Sequence, residues 1–245
     1  MAGNGEELTV RRARELAERS ERTGIPFHTE FLTIYEQSTL RGIRFPAPCS
    51  FFGGYRDAER VIAVFGDEAG AADAITCIRI APKQQKFADE LTHRDFLGAL
   101  MNLGIRRETL GDILIRENVG YLFCLSEIVP FLIASLERVR HTSVVCEVCD
   151  APESTSDAAE PVSVVVASER ADALLSAAFH ISREDSRSAV SDGRFFLNGK
   201  QTLQPSANLH AGDILSLRGV GRVEFLGLER ETKRGKLRVR VRICR

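Results

Sequence analysis

The chain has 245 residues, 44% hydrophobic and 27% charged, with 33 Lys plus Arg against 34 Asp plus Glu and a formal net charge of −1. That is the composition of an ordinary soluble protein, long enough for one large domain or two modest ones, and it excludes wholesale disorder. No apolar run reaches the ~18 residues of a membrane span, and the Arg- and Glu-rich start lacks the apolar core of a signal peptide, so a cytoplasmic, membrane-free location is expected.

The charge is unevenly distributed. Residues 162–245 carry 15 Lys or Arg and 9 Asp or Glu, whereas residues 1–161 carry 18 and 25. A positive end suits a phosphate-rich partner, because each neutralised phosphate releases counterions. The six cysteines form no disulfide framework, and only Cys146 and Cys149 have metal-like spacing. With no second pair or following His, and with the two side chains on opposite faces of a strand, no metal and no cofactor are expected.

In chain order, Glu6 to Arg22 reads as a helix, with Val10, Ala13, Leu16 and Ala17 on one face and five Arg against five Glu. A second helical stretch covers Glu30 to Ser38, and the segment from Phe45 to Phe52 reads as loop and turn. The adjacent glycines of Phe51-Phe52-Gly53-Gly54-Tyr55 permit a tight backbone turn. No Lys-Ser or Lys-Thr follows, so this is not a phosphate loop.

From Val61 to Cys149 the elements alternate. Strands are expected at Val61 to Phe65, Ala74 to Ala81, Asp112 to Arg116, Val119 to Leu125 and Thr142 to Val148, with helices at His93 to Leu103 and Glu127 to Arg138. Without the first strand the order is β-α-β-β-α-β, the ferredoxin-like arrangement shared by RNA-recognition-motif domains. In that arrangement Tyr121 and Phe123 would share the face that stacks on RNA, but Val119 replaces the expected basic residue and core packing is the preferred reading. Thr92 and Asp95 have the spacing of a capping box, which accounts for Thr-His-Arg-Asp without a kinase reading. Asp150 to Pro161, with four acidic residues and no basic one, reads as a linker.

Beyond it, Ser168 is the expected cap of a helix with Ala171, Leu174, Leu175 and Ala178 on its buried face. Ser182 caps the next, with Asp185 three residues on and Gly193 as its left-handed stop. Phe195 and Leu197 run into Asn198-Gly199, a type I′ turn signal, and Ile214 to Leu217 is a further strand. In the last strand Leu237, Val239, Val241 and Ile243 alternate with Arg238, Arg240 and Arg242, placing aliphatics on one face and guanidiniums on the other.

Arg170-Ala171-Asp172, Ile181-Ser182-Arg183, Gly193, Asn198-Gly199-Lys200, Pro205 and Gly212-Asp213-Ile214 together resemble the S4-type RNA-binding domain, over about a third of the chain. Phe51 to Arg60, His93 to Gly98, Asn102 to Arg107, Gly111 to Ile113 and Arg218 to Arg222 extend the likeness to the YlmH-type family of bacterial S4-domain proteins. The sequence departs from the pattern at Ala171, usually leucine, and at Asp185, often basic.

The resemblance implies a non-enzymatic RNA-binding protein that acts as a monomer. Its partners would be rRNA and tRNA at the large ribosomal subunit, in quality control of stalled peptidyl-tRNA with alanine tailing. The RNA surface would comprise Arg170, Ser182, Arg183, Arg187, Arg194, Asn198, Lys200, Arg218 and Arg222, with a second patch at Arg94, Arg106 and Arg107. The rival is an RNA-modifying enzyme, a pseudouridine synthase or methyltransferase with an appended S4 domain. No Arg-Leu-Asp motif outside the S4-like domain and no Gly-x-Gly-x-x-Gly after an early strand supports it, so no catalytic residue is assigned.

The expected architecture is α+β. Residues 1–60 form an N-terminal helical region, 61–149 a ferredoxin-like domain, 150–161 the acidic linker, and 162–245 an S4-type αα-plus-β domain with a basic C-terminal hairpin.

Overall fold

The structure is a computed structural model that describes residues 3–55, 58–67, 69–152, 160–232 and 235–244. It divides into two compact units, Met1–Ser154 and Thr155–Arg245. Among the described residues no helix is long and apolar enough to cross a membrane.

The first unit opens with helix α1 (Gly3–Thr23), which buries Ala13, Leu16 and Ala17 and leaves Arg11 and Arg12 to share Glu15 at the surface. Strand β1 (Phe27–His28) leads to helix α2 (Ile34–Arg41). The sequence pattern placed this helix from Glu30, but it starts only after Thr33. There the Thr33 hydroxyl accepts the Glu36 N–H and the Glu36 carboxylate accepts the Thr33 N–H at 2.8 Å. The residues before it are extended, because the Phe31 and Leu32 N–H groups donate to the carbonyls of Glu108 and Val61.

Strand β2 (Cys49–Phe52), read as loop from the sequence, pairs with β3 (Ile62–Phe65) in a three-stranded sheet of order β1-β3-β2. All four residues of β3 are 0% exposed. Ala63 and Phe65 join the core with α1 and α2, while Ile62 and Val64 pack with Phe31 and Leu125. A strand covered on both faces needs no polar alternation, which is why Ile-Ala-Val-Phe reads as one apolar run.

The unit continues through β4 (Ile75–Pro82), α3 (His93–Asn102), β5 (Leu110–Arg116), β6 (Val119–Leu125), α4 (Val129–Ser135), β7 (Arg138–Val139) and β8 (Thr142–Cys149). These strands form one antiparallel sheet of order β5-β6-β4-β8-β7. With β7 set aside, the chain order is the β-α-β-β-α-β succession read from the sequence. Ile78, Ile80, Leu122 and Val144 from the sheet meet Phe96 and Leu100 of α3 and Leu132 of α4 in a single core. The Thr92–Asp95 capping box opens α3. Helix α4 is shorter than expected, since a 3-10 turn at Ser126–Ile128 precedes it and the chain enters β7 immediately afterwards.

The second unit comprises β9 (Val162–Val166), α5 (Ala171–Phe179), α6 (Arg183–Ser191), β10 (Phe195–Leu197), β11 (Lys200–Gln201), β12 (Ile214–Leu217), β13 (Gly221–Glu231) and β14 (Leu237–Cys244). Its sheet has the order β11-β10-β12-β13-β14-β9, every neighbour antiparallel. Leu174, Leu175 and Ala178 of α5 and Val190 of α6 pack on Phe195, Leu215, Val223, Val239 and Val241, so one sheet face is core and the other carries Arg238, Arg240 and Arg242.

Ser168 is not the cap of α5. The helix begins at Ala171 because the Glu169 carbonyl accepts the Leu209 N–H and Arg170, extended, bridges Asn208, which keeps both residues out of the helix. Ser182 does cap α6, its hydroxyl accepting the Asp185 N–H at 3.0 Å. Gly193 follows α6 with φ of 71°, and the Asn198-Gly199 turn has φ of 50° and 74°, as a type I′ turn requires.

Candidate functional site

The organising group of the helical hairpin is Asp172 in the first turn of α5, whose side chain is only 2% exposed. A carboxylate buried in an apolar stretch must be paired. It accepts from Arg170 Nε at 3.2 Å and Nη2 at 3.4 Å, and from Arg187 Nε at 3.4 Å. The Ser186 hydroxyl, itself buried, donates to the Asp172 carbonyl and locks α6 against α5. The two arginines are thereby held beside one another with their side chains 39% and 58% exposed. Arg183 is exposed one turn before Arg187 on the same face of α6. The Ser182 hydroxyl is committed to the helix cap and donates to the Asp185 carboxylate at 2.7 Å.

The remaining sequence-predicted residues lie on the strands. Asn198 is a structural residue of its turn: its Nδ2 donates to Asp213 at 2.8 Å and its Oδ1 accepts the Ile214 N–H at 2.9 Å. Lys200, next to it at the sheet edge, is exposed. Arg194 lies 3.6 Å from Asp192, and its carbonyl accepts the Arg218 N–H. The Arg218 guanidinium stands 5.3 Å over the Phe196 ring. Arg222 lies opposite Ser216 on the following strand.

In the first unit the arginines of the expected second patch have different surroundings. Arg94 is exposed in the first turn of α3, and Arg106 forms an ion pair with Glu30. Arg107 faces inward and donates to the carbonyls of Leu110 at 2.6 Å and Gly111 at 3.2 Å. Burial, followed by the neighbouring Arg60, pushes its pKa down from the usual arginine value. Arg60 donates in turn to the carbonyls of Leu110, Phe31 and Arg107, so this pair of guanidiniums staples three segments together.

The glycine pair has a packing role. A Cβ on Gly53 would lie 2.2 Å from Ala58 Cβ and 2.6 Å from the Arg60 carbonyl. The close turn lays Tyr55 on the Phe123 ring at 4.7 Å and aims its hydroxyl at Asp112, 2.8 Å away. Phe123 is accordingly 1% exposed, while Tyr121 on the same sheet face is half-buried opposite Arg79.

Cys146 and Cys149 point to opposite faces. Cys146 Sγ donates to the Leu136 carbonyl, and Cys149 Sγ lies 3.6 Å from Cys77 Sγ. Among the described residues no group of three or more His, Cys, Asp or Glu side chains gathers as a metal site. Sequence reasoning missed the anchoring role of Asp172 and the placement of Phe196. The signal for the first was an acidic residue between Ala171 and Ala173 in an otherwise apolar helix start.

Comparison with known proteins bears on both units. A family model described as "Putative RNA-binding domain in YlmH" matches residues 74–153, the stretch that holds β4 to β8. Over 219 residues the chain is 31% identical to the ribosome-associated protein quality control protein P2 of Bacillus subtilis (strain 168), covering 86% of this chain and 84% of that protein. Among solved structures, the cell division protein ylmH from Streptococcus pneumoniae is similar at 22% identity and a TM-score of 0.48, covering 59% of this chain and 91% of that one.

Proposed function

This chain belongs to the YlmH family, and on that premise we propose that it is a non-enzymatic RNA-binding protein of ribosome-associated quality control. It would hold structured ribosomal or transfer RNA at the large subunit while a stalled peptidyl-tRNA is processed by alanine tailing, with no bond made or broken by its own residues. The observation that carries this reading is the Asp172-anchored pair Arg170 and Arg187, with Arg183 exposed one turn away. Guanidiniums fixed in position by a buried carboxylate, in a unit with excess positive charge, suit the phosphates of a structured RNA in sign and in hydrogen-bonding geometry. Lys200 at the sheet edge extends the surface, and Arg94 on the first unit adds a separate contact. The name of the Bacillus subtilis relative and the description of the family model support the same reading.

The test is sedimentation of a cell extract at low and high salt, with the protein followed across ribosomal fractions. Comigration with large subunits that is lost at high salt is the expected outcome. Arg183→Ala and Lys200→Ala should each weaken binding to purified subunits and lower the slope of log affinity against log salt by about one unit per lost phosphate contact. A protein that stays at the top of the gradient at both salts, or variants with unchanged affinity and slope, would refute the assignment.

A further inference from the structure

We infer that the face of the C-terminal sheet turned away from α5 and α6 binds single-stranded RNA, with Phe196 as the platform for a base and arginines of β13 and β14 as the phosphate track. The inference rests on the RNA-binding reading above but places a second surface on the opposite side of the sheet from the helical hairpin.

Strand register fixes which side chains share this face. Phe195 is fully buried in the core, so Phe196 projects the other way, half-buried and opposite Ser216. An aromatic ring on an open sheet face, with the Arg218 guanidinium 5.3 Å above it, offers stacking and cation–π contact to a base.

Along β14 the same face presents Arg242, Arg240 and Arg238. Arg242 is neutralised by Glu224 at 2.5 Å. Arg240 is exposed between Gly227 of β13, which has no side chain, and Ser163 of β9. Arg238 lies directly opposite Arg230, a like-charge cross-strand pair that is unfavourable by itself. Its Nε is buried with no hydrogen-bond partner among the described residues. The nearby Glu229 carboxylate accepts the Ser163 hydroxyl at 2.6 Å. The repulsion between the Arg230 and Arg238 guanidiniums is relieved by an anion, and a phosphate can accept from both side chains.

From Phe196 to Arg240 the path crosses three strand spacings and runs about four residues along β14, or roughly 20 Å from strand dimensions. That length accommodates a few nucleotides of an extended strand. A flat face with a ring at one end and charges at the other fits a strand whose bases can splay out, whereas a duplex hides its bases.

The experiment uses the full chain and fluorescence anisotropy with a labelled 12-nucleotide oligouridine and, separately, a short RNA hairpin, across a salt series. Phe196→Leu should weaken the single strand about 5- to 100-fold with the salt slope unchanged, since a stacked base carries no net charge. Arg240→Gln should weaken it and lower the slope by about 0.7. Arg183→Ala should leave oligouridine binding intact while reducing hairpin binding.

If Arg183→Ala and Lys200→Ala abolish binding of both probes while Phe196→Leu and Arg240→Gln change neither, the RNA-binding reading stands and the second surface is refuted. If the unmodified chain binds neither probe, both readings fall. Binding to phosphatidylglycerol vesicles that depends on Arg240, without binding to oligouridine, would make the partner a membrane and overturn the inference. Arg240 is a surface residue, so its variant keeps the test valid even if Phe196→Leu fails to fold.

Discussion

Replacing Asp172 with Asn isolates the anchor of the helical hairpin. The carboxylate accepts three charge-assisted hydrogen bonds at 3.2–3.4 Å, longer than the 2.7–2.9 Å usual for such bonds. Each therefore contributes toward the low end of the ~1.5–3 kcal/mol range for bonds to charged groups. Asn keeps one acceptor oxygen, and the two arginines, 39% and 58% exposed, recover part of their hydration. The net destabilisation comes to about 2 kcal/mol.

For a unit of this size, about 90 residues, that lowers the melting temperature by roughly 10 °C. Tyrosine fluorescence is blind to the change, because Tyr35, Tyr55 and Tyr121 all lie in the first unit and the chain has no Trp. The assay is hydrogen exchange of the α5 and α6 amides, with far-UV circular dichroism for the transition. Asp172→Asn should accelerate exchange along both helices. Unchanged or raised stability would mean that burying the carboxylate costs as much as its pairs return, and the anchor argument would fail.

Two further outcomes follow from packing and from titration. Gly53→Ala forces a Cβ into Ala58 and the Arg60 carbonyl and should cost about 3 kcal/mol, read as a lower urea midpoint in tyrosine fluorescence, which reports on this unit; an unchanged midpoint would show that the turn can relax. Burial pushes the Cys124 thiol up to about 12 and the Cys146 thiol up to about 11, from an ordinary value of 9.0. The folded state thus holds these protons more tightly than the unfolded state. Their contribution is fully present below pH ~9 and is lost as pH rises toward 11–12. Urea midpoints should fall across that window, less steeply in Cys146→Ala; parallel curves would refute the assignment.

The parts legible in the sequence are those set by neighbours a few residues apart. Arg238, Arg240 and Arg242 alternate with buried aliphatics because strand period alone decides their face. The Thr92–Asp95 box, the Ser182 cap and the Asn198-Gly199 turn are fixed within four residues. What was misread depends on partners far along the chain. Ser168 looks like a helix cap, but Leu209 and Asn208 hold Glu169 and Arg170 out of the helix. Glu30 looks helical until Glu108 and Val61 take the next N–H groups. Arg107 looks like surface charge beside Arg106, yet it turns to the carbonyls of Leu110 and Gly111. Of the candidate site, the exposed cations Arg183 and Lys200 could be named from pattern. The carboxylate that positions Arg170 and Arg187 could not, because its role exists only once α5 and α6 meet.

Strand β3 bears on how the chain is made. Its Ala63 and Phe65 face can be covered by residues already synthesised, since α1, α2, β1 and β2 all precede it. The Ile62 and Val64 face also packs with Leu125, roughly 60 residues downstream. At ~5–20 residues per second, this apolar face is incompletely covered for about 3–12 s of translation. During that interval the nascent N-terminal sheet is a half-finished core, and its completion is timed by the arrival of β6.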